Sequence, residues 1–235
     1  MKTKMIWTLV IVLCLCAFLL AGCKEKPEEP EPPIVHAEGS WTVSDEQVAP
    51  AIPDDAKQAL DDATAELTDV GYEPLAYLGS QVVAGSNYGF LCRATTASAQ
   101  PQTKLCTVKV YRDLAGNSSI LESKDVAISS YTTDEVLSYA PDGLAGGWHI
   151  DPDLAPAALP EDVQSAFDKA TVGLNGISYQ PLAYLGSQVV AGTNFALLCN
   201  VNSVAEGASA LAIVTIYENP DGDAQIISVA GLDFP

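Results

Sequence analysis

Tyr72-Glu73-Pro74-Leu75-Ala76-Tyr77-Leu78-Gly79-Ser80-Gln81-Val82-Val83-Ala84-Gly85 recurs in the same chain as Tyr179 to Gly192, with Glu73 replaced by Gln180 as the single change in 14 positions. Such identity at a fixed offset marks a duplicated structural unit. The offset of 107 also pairs Gly39 with Gly146, Trp41 with Trp148, Pro53 with Pro160 and Cys92 with Cys199. Two homologous domains follow, residues 39–131 and 146–235, joined by a linker at 132–145 that contains Pro141-Asp142-Gly143.

Each unit reads as one helix followed by antiparallel strands. Ala56, Leu60, Ala63, Leu67 and Val70 are spaced to lie on one helical face, and Val163, Phe167, Ala170, Leu174 and Ile177 repeat that spacing. Pro53 and Pro160 suit the first turn, and Asp54, Asp55, Glu161 and Asp162 suit the positive end of the helix dipole. A strand then runs from Tyr72 or Tyr179 into a glycine turn. Beyond it Tyr88, Phe90 and Cys92 alternate with Gly89, Leu91 and Arg93. Val108 to Tyr111 and Ile213 to Tyr217 supply another strand, and Ser119 to Ile128 and Ala224 to Val229 a last one after a second turn. The expected fold is α+β: two tandem domains, each with one helix laid across a sheet of about four to five strands and burying a single apolar face of it.

The amino terminus carries an address. Lys2 and Lys4 precede an apolar run from Met5 to Leu20, the layout of a secretory signal and shorter than the ~20 residues that span a bilayer. Leu20-Ala21-Gly22-Cys23 resembles the bacterial lipobox. That resemblance implies a signal peptide of residues 1–22, a lipid on the Cys23 thiol, and a protein held on the outer side of a bacterial membrane by its acyl chains. Residues 23–38 form the tether, where Glu and Pro alternate into an extended, self-repelling spacer.

Net charge is −19, and loss of Lys2 and Lys4 leaves nine basic side chains against 30 acidic. No Lys/Arg cluster is available to neutralise phosphates, so nucleic acid is excluded as a partner. His36 and His149 are the only histidines, and no convergent acid, base or nucleophile set can be assembled, so no catalytic residues, cofactor or metal are expected. Asp151-Pro152-Asp153 and Asp221-Gly222-Asp223 lack the spacing of an EF-hand loop and read as turn acids. Cys92 and Cys106 flank the loop Thr95 to Thr103 symmetrically, which predicts a disulfide across a hairpin; a bridge from Cys92 to Cys199 is the alternative. With Cys92 and Cys106 paired, Cys199 reads as a buried thiol.

Taken together, Gly39 before the helix, Gln81-Val82-Val83-Ala84-Gly85 in the first hairpin and a second hairpin after Tyr111 resemble the cystatins. Gly146, Gly147 and Gln188-Val189-Val190-Ala191-Gly192 repeat the order in the second unit. The resemblance implies non-covalent inhibition of papain-like cysteine proteases, with the glycine segment and two hairpin loops forming an apolar wedge for the protease cleft. Gly39, Gly146, Gly147, both QVVAG loops and Pro220 are the residues it assigns to that contact. The Pro-Trp pair that cystatins carry in the second loop is absent: Pro220 is followed by Asp221, and the first unit has Leu114-Ala115. A non-inhibitory binding or scaffolding module of the cell envelope, using the same fold, is the alternative function.

Overall fold

The computed structural model describes residues 41–42, 52–131, 147–152, 159–203 and 208–234. The signal, Cys23, the tether, Gly39, the linker at 132–145 and Gly146 lie outside them. In order, the elements are β1 (Trp41–Thr42), α1 (Asp54–Thr64), β2 (Val70–Val83), β3 (Gly85–Thr96), β4 (Thr103–Arg112), β5 (Ser118–Val126) and a 3-10 turn (Ile128–Tyr131). They continue with α2 (Glu161–Thr171), β6 (Ile177–Val190), β7 (Gly192–Ser203), β8 (Ala208–Glu218) and β9 (Ala224–Gly231). The strands form two antiparallel meanders, β1-β2-β3-β4-β5 and β6-β7-β8-β9, each with its own helix. The second repeat keeps a vestige of β1: His149 bridges Ser187, as Thr42 pairs with Ser80.

The apolar spacing runs on to Val70 and Ile177, but the helices stop at Thr64 and Thr171, six residues earlier. They bury Ala56, Ala59 and Leu60, or Val163, Ala166 and Phe167. Leu67 and Leu174 lie beyond the helices and are exposed, while Val70 and Ile177 open the next strands. Thr64 and Thr171 close the last turns by donating their hydroxyls to the carbonyls of Leu60 and Phe167, both at 2.8 Å. In the second repeat Gly173 and Gly176 then take positive φ, where other residues are strained.

The alternation along the central strands explains the layering. Tyr88, Phe90 and Cys92 of β3 face α1 with Val108 and Val110, and Phe195, Leu197 and Cys199 of β7 face α2 with Val214 and Ile216. Contrary to expectation, the opposite faces are buried as well. Leu78, Leu91 and Leu105 from the first sheet and Leu185, Leu198 and Ile213 from the second belong to one shared cluster. The two repeats therefore build helix, sheet, sheet, helix around three cores, and both fall within one compact unit.

Each repeat also sends its end across to the other. Ile128 and Tyr131, after β5, pack on the shared core, and the Tyr131 carbonyl accepts a hydrogen bond from Ser228 of β9 at 3.1 Å. Reciprocally, Phe234 lies on Gly89 of β3 and meets the edge of Trp41 at 4.9 Å between ring centroids. Ile128 was expected to end a strand; it turns inward because the shared core needs its side chain.

The one change within the repeated stretch has a structural reason. Glu73 lies opposite Arg93, whose guanidinium is bound by the Glu73 carboxylate and also donates to the Asp151 carbonyl at 2.6 Å. In the second repeat the same cross-strand place holds Gln180 opposite Asn200. One repeat thus holds a buried arginine with its acid where the other holds a pair of neutral amides.

Candidate functional site

The repeated QVVAG stretches form the ends of the β2–β3 and β6–β7 hairpins. Val83 pairs with Gly85 around Ala84, and Val190 with Gly192 around Ala191. Behind each end, an asparagine amide donates across the hairpin to the glutamine: Asn87 to Gln81 at 2.6 Å and Asn194 to Gln188 at 3.0 Å. The glutamines thus brace the base of the hairpin.

The glycines are set by two independent constraints. Gly85 has φ 122° and Gly192 φ 123°, where side chains are disfavoured. A Cβ on Gly85 would stand 2.3 Å from the Arg112 carbonyl oxygen, and one on Gly192 2.2 Å from that of Glu218. This close approach brings the end of the next hairpin alongside. Tyr111 and Tyr217 lock it by donating their hydroxyls to the carbonyls of Ala84 and Ala191, both at 2.6 Å. From the sequence these tyrosines read as strand residues, and their recurrence at the end of equivalent strands is the signal of a shared role.

Gly85 and Gly192 thereby place the second turns, Asp113 to Asn117 and Asn219 to Asp223, directly beside the first ones. The two second turns share a backbone. The Asp113 N–H donates to the Asn117 carbonyl and the Asn219 N–H to that of Asp223, both at 2.9 Å. Asp113 accepts further bonds from the N–H groups of Ala115 and Asn117 and from the Asn117 side chain. The Asn117 amide and these N–H groups hold its carboxyl below the usual carboxylate range.

What this bracing leaves free is apolar. Val82 is 59% exposed and Val189 69%, with Val83 and the two tip alanines also exposed and Val190 half-buried. Leu114, at the head of the second turn of the first repeat, is 88% exposed. Its counterpart is the exposed Pro220, followed by exposed Asp221 and Asp223. Gly147 is exposed beside the half-buried Trp148, and Gly39 and Gly146 lie outside the described residues. Of the residues assigned to a protease contact, the fold therefore gathers each QVVAG loop with its neighbouring second turn.

Among the described residues, Cys92, Cys106 and Cys199 are buried in the two helix-facing cores. Cys92 and Cys106 face each other across the β3–β4 ladder, as their spacing predicts, yet both are free thiols. The Cys106 Sγ approaches the Cys92 carbonyl oxygen at 3.8 Å, and both side chains pack into the core under α1. The equivalent pair in the second repeat is Cys199 opposite Ala212, so this place in the fold is filled by packing and needs no bridge. Burial pushes the Cys92 and Cys106 thiols up and that of Cys199 up to about 12. A thiol so disfavoured as thiolate is a poor nucleophile.

Among the described residues, no three His, Cys, Asp or Glu side chains converge on a metal site, and no helix is long and apolar enough to cross a membrane. His149 has an exposed side chain and contributes its backbone to the bridge with Ser187. The chain matches no protein-family model and no curated protein.

Proposed function

We propose that this protein is an extracytoplasmic lipoprotein, anchored through Cys23, that acts by inserting hairpin tips into an apolar cleft of another protein, a papain-like cysteine protease in the reading the sequence resemblance favours. The observation that carries the proposal is the contrast within each QVVAG loop. Glutamine, glycine and a neighbouring tyrosine are all engaged in holding the loop, while Val82, Val83 and Val189 are exposed. A turn that served the fold alone has no need of exposed valines on a braced tip, and contiguous exposed apolar residues mark interaction sites. Rigid presentation lowers the ordering cost of association, so the apolar area can be converted into affinity. No carbonyl is offered in an extended, substrate-like segment, because the tip reverses direction at Ala84 and Ala191. The inhibitor would occlude the cleft without being cut.

A second reading, a non-inhibitory binding module of the cell envelope, draws on the lack of an aromatic residue in either second turn, since aromatic anchors commonly dominate interface energy. Titration of papain with residues 24–235 separates the two. Inhibition at micromolar protein that Val82→Asp or Val189→Asp abolishes supports the protease reading. No inhibition at that concentration, or inhibition indifferent to both substitutions, removes it.

A further inference from the structure

We infer that the two repeats are not equivalent wedges: the first alone is built for an uncharged apolar cleft, and the second turn of each repeat, not the shared QVVAG loop, decides this. The inference rests on the tip-insertion reading above. The QVVAG sequences are identical, and glutamine, glycine and tyrosine brace both. Val83 is exposed where Val190 is half-buried, and Trp41 pairs with Gln81 beside the first tip, but the change in chemistry at the tips lies in the turn that the glycine brings alongside. Would-be Cβ atoms on Gly85 and Gly192 both lie 3.2 Å from the Cα that opens that turn, Asp113 or Asn219.

On this common backbone the side chains diverge position by position. Leu114, Ala115 and Asn117 of the first repeat stand where the second has Pro220, Asp221 and Asp223. The first turn does contain an acid, Asp113, but its carboxylate is taken up by three hydrogen bonds within the turn. Asp221 and Asp223 are exposed at the turn itself. Lys169 reaches the same turn, donating to the Gly222 carbonyl at 2.8 Å and to Glu218 at 3.2 Å. A partner cleft that closes over Val189 would have to desolvate Asp221, Asp223 and this ammonium together, and burying such charges costs several kcal/mol, more than a valine side chain recovers. The same cleft closing over Val82 meets the bare leucine. Leu114, Ala115 and Asn117 against Pro220, Asp221 and Asp223 are thus specificity-determining sets, and a protein with an uncharged apolar groove is the partner of the first.

Binding of thiol-blocked papain to residues 24–235, followed by calorimetry, tests this. Val82→Asp should weaken binding about 100-fold and Val189→Asp less than about threefold. Leu114→Asp, at a side chain without packing duties, should weaken it about as much as Val82→Asp. In the Val82→Asp background, Pro220→Leu with Asp221→Ala and Asp223→Asn gives the second repeat the first repeat's turn and should recover at least about tenfold. Thermal melts of all variants verify folding. Equal losses from Val82→Asp and Val189→Asp, or no recovery by the transplanted turn, overturn the division while leaving tip insertion standing. Wild-type protein that does not bind papain at all overturns the protease reading and the division with it.

Discussion

Glu73 and Arg93 offer a direct test of how the repeats diverged. The Arg93 side chain is 6% exposed and the Glu73 side chain 47%, so the guanidinium depends on its partners while the carboxylate is half in water. Glu73→Gln keeps an acceptor but removes the charge opposite a buried cation. A fully buried pair broken in this way loses about 3–5 kcal/mol; the exposure of Glu73 lets solvent take over part of its role, which lowers the expectation to about 1–2 kcal/mol. Arg93→Asn removes the donor that reaches the Asp151 carbonyl and leaves space near the shared core, and about 2–3 kcal/mol follows. The double variant recreates the amide pair of Gln180 and Asn200 and contains no orphaned charge. It should therefore fall short of the sum of the singles by about 1–2 kcal/mol. Urea unfolding of all four proteins, with unchanged m-values, gives this coupling energy. Additivity to within about 0.5 kcal/mol would show that the single change in the repeated stretch is unrelated to the change from arginine to asparagine.

Other consequences are as open to measurement. A Cβ on Gly89 would stand 2.2 Å from the Phe234 ring, so Gly89→Ala should destabilise by about 1–3 kcal/mol, and Gly89→Ala added to Phe234→Ala should cost little more than Phe234→Ala alone. Gly192→Ala forces both a strained φ and a collision with the Glu218 carbonyl, and should make the β6–β7 tip susceptible to limited proteolysis while the β2–β3 tip stays resistant. Residues 24–235 should show three titratable thiols after denaturation and none in the native state at pH 8; one thiol would mean that Cys92 and Cys106 are bridged. Because the folded pKa of Cys199 is raised from 9.0 to about 12, its contribution to stability is complete below pH 9 and is lost as pH climbs towards 12, and Cys199→Ala should flatten the alkaline limb of the stability profile.

The internal repeat made most of the fold legible. Period-2 alternation in Tyr88 to Arg93 placed the right residues under the helix, and glycine between two apolar runs placed the hairpins. The helix ends were misplaced because the apolar spacing continues smoothly from helix into strand. Val70 and Ile177 are apolar for the sake of the sheet, and periodicity alone does not reveal that the chain has changed direction in between. The shared core was missed for a related reason. Leu91 and Leu105 on the face away from the helix are visible in the sequence, but a sheet buried on both sides differs from one with scattered surface leucines only once the partner is known. At the candidate site, the QVVAG loops and their glycines were found from the repeat, whereas the tyrosine brace needed the three-dimensional neighbourhood of Ala84 and Ala191.

Duplication and the shared core depend on each other. One repeat alone would expose Leu78, Leu91 and Leu105 as a single greasy face, a surface prone to association. A second copy covers it with the equivalent face, and exchange of Ile128 with Tyr131 in one direction and Phe234 in the other adds contacts that neither copy makes by itself. Phe234 from the second repeat rests against Trp41 of β1, and Lys109 lies over the same indole at 5.5 Å, so the short strand pairing with Gln81 next to the first tip is steadied by the far end of the chain. Divergence of the second repeat is then constrained on its inner face but free at its turns. Leu185 and Leu198 match Leu78 and Leu91 at the shared core, whereas Asp221 and Asp223 stand where the first repeat has Ala115 and Asn117, so the repeats agree where they pack on each other and differ where they face solvent.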